Sequence, residues 1–192
     1  MARPKSNLRS GGLAVGVSLS VLAAGIAGAA SRAPLPMQIR QARILVLKGQ
    51  RELRVYSADS LLRTYPIALG LNPVPPKARS GDHATPEGPY YVCSKNPRSQ
   101  FLLALGLSYP GPGDAERGLR ARLISRRQYR GILEAARRLS APPWNTALGG
   151  AIFIHGGGSS ADWTWGCIAL ADSDITELYP RIPVGTPVVI QP

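Results

Sequence analysis

The first half of the chain contains closely spaced apolar runs in which apolar and polar positions tend to alternate. Residues 43–48, 52–56 and 61–69 are rich in Ile, Leu, Val and Tyr and are separated by short polar turns. Successive side chains of a β-strand point to opposite faces, so this alternation is typical of half-buried strands. We therefore predict a meander of short strands here.

Later apolar runs predict further strands, which are separated by segments rich in glycine and proline. These strands are expected at residues 90–93, 101–109, 152–154 and 185–190. Proline and glycine interrupt regular structure, so we predict a turn at residues 96–99 and loops at 72–89 and 110–118.

A helical period is clearest after Ser125. Ser125 followed by Gln128 forms the capping-box pattern of a helix start. Its apolar face contains Tyr129, Ile132, Leu133 and Ala136. A second, shorter helix is expected from Asp172 to Tyr179. Together these patterns predict a mostly β fold, a β-sandwich or meander, with one or two helices.

The N-terminal residues have the composition of an export segment. Arg3, Lys5 and Arg9 precede an uncharged apolar run from Leu13 to Ala30, which ends in small residues. Such a run behind a positive lead is typical of a signal peptide with an A-x-A cleavage site. An uncleaved anchor is the alternative. In either case we expect this segment to contact a membrane and the protein to be exported to the periplasm or cell envelope.

The chain therefore divides into an N-terminal segment at 1–30, a short linker at 31–42 and one domain of ordinary size at 43–192. Lys and Arg number 23 against 11 Asp and Glu, a net charge of +12. This charge favours anionic surfaces such as cell-wall polymers and lipid headgroups. A nucleic-acid partner is not expected, because no helix-turn-helix, zinc or base-stacking signature accompanies the charge.

Candidate chemistry is concentrated between Ala151 and Leu170. The apolar residues 152–154 lead into His155, a Gly/Ser turn follows, and Gly166 then precedes Cys167. A catalytic cysteine attacks as its thiolate and needs a nearby base, so Cys167 and His155 are the candidate nucleophile and base. Backbone N–H groups near Gly166 and Cys167 are candidate donors to an oxyanion.

Other assignments of these residues stay open. Cys167 could be a small buried hydrophobe, or it could form a disulfide with Cys93 that masks the thiol. His83, in the 72–89 loop, is a rival base. Asp162 could orient His155, although capping of its loop is the alternative, and the polar residues of the 72–89 loop (Asp82, Thr85 and Glu87) are expected to fix turns.

Metal and cofactor chemistry are not expected from this sequence. The two histidines and two cysteines lack the paired spacings of zinc sites. The glycines at 156–158 are not followed by the Gly-Lys-Ser/Thr of a phosphate loop. They resemble an esterase oxyanion loop, yet no Gly-x-Ser-x-Gly motif occurs in the chain.

The motifs around His155 and Cys167 resemble the YkuD-type L,D-transpeptidase family. Its His-Gly followed by Ser/Thr-x-Gly-Cys-hydrophobic corresponds to 155–156 and 164–168, and its upstream Thr-Pro-Glu-Gly-x-Tyr block to 85–90. The family usually has His where Trp165 stands and Arg where Ala169 stands. With Asp162-Trp163-Thr164 and Ser108-Tyr109-Pro110, these departures are similar to the YafK-like branch.

The resemblance implies an L,D-transpeptidase type of fold and cysteine-dependent acyl transfer on peptidoglycan peptide stems through a Cys167 thioester. Hydrolysis of stem residues, or release of a wall-linked lipoprotein, is the alternative, and a non-catalytic wall-binding module is a second. A backbone carbonyl among Gly156–Gly158 would orient His155. The remaining candidates are Gly156, Gly166 and Thr164 for the oxyanion or for orientation, and Trp165, Ser159 and Asp162 for substrate binding.

Overall fold

The computed structural model describes residues 1–2 and 33–192. The predicted export segment at 1–30 therefore lies almost wholly outside the described residues. Within the described residues, no helix is long and apolar enough to cross a bilayer. The unit from Pro34 to Pro192 contains every element discussed below.

Eight strands and three short α-helices form this unit. The strands are β1 (Ala42–Leu47), β2 (Glu52–Ser57), β3 (Ser60–Pro66), β4 (Gly88–Ser99), β5 (Leu102–Leu107), β6 (Phe153–His155), β7 (Ile168–Ala169) and β8 (Pro187–Gln191). The helices are α1 (Pro112–Arg120), α2 (Arg126–Arg137) and α3 (Asp172–Leu178), and a 3-10 turn (Tyr179–Arg181) follows α3. The mostly β class is confirmed, with three helices instead of one or two.

The strands form one curled, mixed sheet in the order β3-β2-β1-β8-β4-β5-β6-β7. The predicted meander is the antiparallel β1-β2-β3 part, whereas β1–β8 and β6–β7 are parallel pairs. The 12-residue β4 pairs with β8 through its first half and with β5 through its second. Isolated bridges from Ala68 to Ala169 and from Gly70 to Thr164 then join the chain after β3 to the β7 region. The curl thus brings the outer edges of the sheet together around the Cys167 segment.

The apolar faces of the strands form the main core together with α3. Ile175 and Leu178 of α3 are fully buried there beside strand residues such as Val46 and Leu105. A smaller cluster of Ala115, Ile124, Ile132 and Leu148 lies beneath α1 and α2. The helix pair therefore has its own small core and forms an insertion between β5 and β6.

Two local predictions were wrong. The turn expected at residues 96–99 belongs to β4, because β5 continues the pairing through a bulge to the Ser99–Leu102 pair. The loop expected at 110–118 contains most of α1. Pro112 occupies its first turn, where the missing N–H costs nothing, and Asp114 caps the N–H of Gly111 at 2.8 Å.

The predicted capping box of α2 is confirmed. The Ser125 hydroxyl accepts from the Gln128 N–H at 3.2 Å, and the Gln128 side chain accepts from the Ser125 N–H at 2.8 Å. Both contacts satisfy N–H groups that the first helical turn leaves without intrahelical partners.

Candidate active site

Cys167 lies between Gly166 and β7, with its side chain half-buried. Its Sγ accepts a hydrogen bond from the Phe153 N–H at 3.4 Å and contacts the Ala151 carbonyl oxygen at 3.6 Å. Both partners belong to the chain entering β6. The thiol is therefore held against the strand that delivers His155.

Burial raises the pKa of the Cys167 thiol above its ordinary value. The Phe153 N–H and the positive charge of Lys77 act in the opposite direction and favour the thiolate. The burial effect is the largest of these. The thiol is consequently protonated at neutral pH.

His155 ends β6 and is only 3% exposed. Its Nδ1 lies 2.6 Å from the carbonyl oxygen of Gly156. A carbonyl can only accept, so Nδ1 carries the proton and Nε2 is the basic nitrogen. Burial lowers the pKa of His155, opposed by the Gly156 carbonyl, and the ring is therefore neutral at neutral pH.

Aromatic rings hold the imidazole in place. Phe101, at the tip of the β4–β5 hairpin, stacks on it with centroids 4.5 Å apart and planes 21° apart. Trp163 meets it edge-on at 5.6 Å. These two contacts fix the ring orientation and exclude water from part of its surface.

The glycine loop after His155 is fastened at every residue. The Gly156 N–H donates to the Phe101 carbonyl at 3.1 Å, Gly157 N–H to Asp172 at 2.8 Å and Gly158 N–H to the Leu170 carbonyl at 2.8 Å. A Cβ on Gly156 would lie 2.6 Å from the Asp172 carboxylate, so only glycine fits there. The carbonyl that orients His155 is thereby fixed in position.

Cys167 and His155 open into the same cleft, which has a volume of about 410 Å³. It is lined by Asn96, Ser99, Gln100, Phe101, Ala104, Ala151, Phe153, His155 and Cys167. None of these lining residues is Asp, Glu, Lys or Arg. A neutral part of a ligand fits such a lining better than a charged one, which would lose hydration without gaining a partner.

Thr164 and Gly166 shape the turn before the nucleophile. Buried Thr164 donates through its hydroxyl to the Cys167 carbonyl at 2.7 Å and accepts from the Gly166 N–H at 3.1 Å. Gly166 has φ +120°, and a Cβ there would lie 2.6 Å from the Ala84 carbonyl oxygen. The Gly166 N–H is therefore engaged within the turn, whereas the Cys167 N–H has no acceptor within 33–192.

The three candidates for substrate binding occupy different places. Asp162 is engaged by Arg51 at 2.6 Å and by the Leu69 N–H at 2.8 Å, and makes no hydrogen bond to His155. It anchors its loop to the β1–β2 turn. Ser159 lies half-buried on the glycine loop, and Trp165 is 76% exposed beside Cys167.

His83 and Cys93 lie outside the cleft. The His83 ring stacks on Trp165 at 5.5 Å and 7°. Both cysteines are free, so the disulfide alternative does not hold in this structure. Among the residues that the structure describes, no group of three potential metal ligands occurs.

Two buried lysines that fasten the 72–89 loop were not foreseen. Lys48 Nζ binds Glu87 at 2.6 Å and the carbonyls of Val74 and Pro75, while Lys77 Nζ binds Asp82 at 2.7 Å. The turn-fixing role predicted for Asp82 is confirmed, because its carboxylate also accepts from the N–H groups of Ala78, Arg79 and Ala84, whereas Glu87 contacts Lys48. Lys48 directly follows a buried apolar run, but nothing local indicates which carboxylate it meets.

The family model of the L,D-transpeptidase catalytic domain, YkuD, matches residues 41–190. The chain belongs to this family. The match covers the strands, the cleft and both candidate catalytic residues. No protein of curated function matches the sequence.

Solved structures share the fold at low sequence identity. The helical cell shape determining protein Pgp2 from Campylobacter jejuni is 24% identical, with a TM-score of 0.53 over 78% of this chain and 47% of its own. Bd1075 from Bdellovibrio bacteriovorus is 24% identical, with a TM-score of 0.52 over 83% of this chain and 54% of its own. An L,D-transpeptidase from Mycobacterium smegmatis is 14% identical, with a TM-score of 0.48 over 79% of this chain and 59% of its own. The chain thus spans about half the length of these proteins.

Proposed function

We propose that this protein carries out cysteine-dependent acyl transfer on the peptide stems of peptidoglycan. The observation that carries the proposal is the shared cleft, which is lined by both Cys167 and His155, the latter with its Nδ1 proton fixed on the Gly156 carbonyl. This leaves Nε2 of His155 as the proton acceptor. Membership of the L,D-transpeptidase family supplies the substrate class.

The first step forms a thioester. The Cys167 proton passes to Nε2 of His155 as the sulfur attacks a stem carbonyl, forming the S–C bond and a tetrahedral oxyanion. The Cys167 N–H, which has no acceptor within 33–192, is free to donate to that oxyanion. Collapse breaks the C–N bond, and His155 returns the proton to the departing amine.

The second step releases the acyl group. His155 accepts a proton from the incoming nucleophile, which attacks the thioester carbonyl and expels the sulfur, and the departing sulfur takes that proton from Nε2. An amine acceptor gives a cross-link, whereas water gives hydrolysis. In the resting protein both groups are neutral, so charge separation develops only as the sulfur attacks.

Hydrolysis is the second candidate, and position 169 favours it. Ala169 is fully buried in β7, where its N–H donates to the Ala68 carbonyl and its carbonyl accepts from the Ala68 N–H. Position 169 thus has no guanidinium, where the family usually has arginine, and no other guanidinium lines the cleft. Release of stem residues or of a wall-linked lipoprotein, as expected of the YafK-like branch, would follow from water as the acceptor.

The setting we propose is the cell envelope. The basic charge of +12 suits anionic wall material, and the apolar N-terminal run suits export. A role in cell shape is consistent with the fold shared with Pgp2, a cell shape determining protein.

Product analysis tests the proposal. The full chain is incubated with tetrapeptide-stem peptidoglycan fragments beside Cys167→Ala and the matched control Cys93→Ala. Cys167-dependent stem-to-stem dimers would establish a transpeptidase, and Cys167-dependent shortening without dimers a hydrolase. Wall binding by the Cys167→Ala variant with identical products in all three samples would instead support the non-catalytic module.

A further inference from the structure

Trp165 is the most conspicuous exposed aromatic residue near the cleft. It is 76% exposed and lies two residues before Cys167. Trp163, two residues earlier, is half-buried against His155 and Phe101. An indole left in water forgoes the stabilisation that burial of its large apolar surface would bring, so a ligand that covers Trp165 would gain that stabilisation.

The exposed indole is nevertheless rigidly held. One face stacks on the His83 ring, with centroids 5.5 Å apart and planes 7° apart. On either side of it in the chain, Thr164 is buried and Gly166 fits closely against the Ala84 carbonyl. The opposite face of the ring is thus presented to solvent in a fixed orientation, which lowers the entropy cost of binding.

The segment beneath the indole is also preorganised. The carbonyl of His83 accepts from the Asn72 N–H at 3.1 Å. The adjacent Asp82 carboxylate binds three backbone N–H groups and the buried Lys77. The backbone that carries His83 is therefore held in place, and with it the ring on which Trp165 stacks.

The electrostatics of the site narrow the kind of ligand. The electron-rich face of an indole attracts cations and C–H groups. Trp165 does not itself line the cleft, but a ligand that also enters the cleft meets no carboxylate there, and the charge of Lys77 acts on Cys167, so a cationic ligand is disfavoured. A pyranose ring meets both requirements, because it is neutral and presents C–H groups that the indole face attracts.

We propose that Trp165, supported by His83, is a sugar-binding platform that takes a pyranose ring of the glycan attached to the peptide stem. The inference rests on the proposed function, since the ring arrives with the stem that enters the cleft. The platform would make the enzyme prefer stems that carry their disaccharide over bare peptides.

The kinetic test compares two substrates with matched variants of the full chain. Aromatic stacking of this kind is expected to give the wild type a preference in kcat/KM of about fivefold to tenfold for the disaccharide-bearing stem. Trp165→Ala should reduce that ratio to about one, whereas Trp165→Phe and the remote exposed-residue control Val184→Ala should keep most of it. His83→Ala should reduce the ratio and His83→Phe restore it. A Trp165→Ala ratio equal to that of the wild type would overturn the proposal, and so would a wild-type ratio of one.

A binding measurement tests the platform without turnover. Cys167→Ala protein is titrated with the disaccharide alone while the indole N–H signals are followed by NMR. The signal that is missing in Trp165→Phe should shift, and the signals of Trp144 and Trp163 should not. Absence of that shift up to millimolar sugar would overturn the platform, whereas absence of a Cys167 thioester would count against the proposed function alone.

Discussion

At the scale of single residues, burial sets the protonation states of the two groups that share the cleft. It raises the pKa of Cys167 and lowers that of His155. A resting thiolate–imidazolium pair would need the opposite ordering of the two values. The resting cysteine is consequently a weak nucleophile until a substrate is bound.

The pH dependence of Cys167 alkylation should reflect its raised pKa. In a Cys93→Ala background, the rate of reaction with iodoacetamide should keep rising as the pH passes the ordinary thiol pKa of 9.0, because only the thiolate reacts. His155→Ala should leave the profile close to that of the parent. A rate that has already reached a plateau near pH 7 would show a preformed ion pair and contradict the assignment.

Lys48 is the residue whose loss should most affect the loop at 72–89. Lys48→Met should lower the free energy of unfolding by about 2–4 kcal/mol, because Glu87 and two carbonyls lose a buried charged donor. Urea unfolding with an unchanged m value is the measurement. The exposed ion pair between Arg120 and Glu116 provides the control, since Arg120→Ala should change the free energy of unfolding by less than about 0.5 kcal/mol. Equal losses in the two variants would contradict this role.

At the scale of elements, the sequence predicted those structures whose signals are local. The alternation in β2 and the capping box of α2 both depend on neighbouring residues. His155 and Cys167 could be identified because each borders a short apolar strand. The Gly156 carbonyl was among the groups expected to orient His155, and it contacts Nδ1.

The elements that were missed depend on tertiary contacts. Residues 96–99 continue β4 only because β5 pairs with them, and their exposed, proline-containing sequence resembles a turn. Phe101 reaches His155 from the β4–β5 hairpin, far away along the chain. The residues next to Lys48 do not indicate that it binds Glu87, and those next to His155 do not indicate that Phe101 stacks on it.

The loop that carries Asp162 provides a test of how the site is positioned. Asp162→Ala removes the contacts to Arg51 and to the Leu69 N–H, so thioester formation should slow about tenfold as the loop loosens. The rate of thioester formation should fall at low pH as His155 becomes protonated. The midpoint of that fall should be the same in Asp162→Ala as in the wild type, below the ordinary histidine pKa of 6.5. A carboxylate that oriented His155 would raise its pKa, and its removal would move that midpoint to lower pH. Exposed Asp59→Ala is the control, with no expected effect on rate.

At the scale of the whole molecule, the curled sheet carries the Cys167 segment, whereas the helical insertion carries a basic surface. The sheet closes on the Cys167 segment through the bridges at Ala68 and Gly70. The insertion presents arginines at the start of α2, where the first turn contains no acid. Cations there oppose the helix dipole, and within 33–192 Arg126, Arg127 and Arg130 form no ion pair.

This basic surface should retain the protein on anionic wall material. Changing Arg126, Arg127 and Arg130 together to Gln should weaken binding to isolated cell walls and reduce its salt sensitivity, because exposed charges are screened within about 10 Å at 0.1 M salt. Co-sedimentation over a salt series is the measurement. A triple change at Arg40, Arg43 and Arg98 removes equal charge elsewhere and should have a smaller effect. Equal weakening by both triples would show that only net charge matters.

The most direct test of the central claim is the intact mass of the full chain after brief exposure to a tetrapeptide-stem fragment. A thioester on Cys167 predicts a mass increase equal to the acyl part of the stem less the one hydrogen that it replaces. The increase should be present in Cys93→Ala, absent in Cys167→Ala and strongly reduced in His155→Ala. A mass increase that persists in Cys167→Ala, or wild-type turnover of the stem that depends on neither Cys167 nor His155, would contradict the assignment of these two residues.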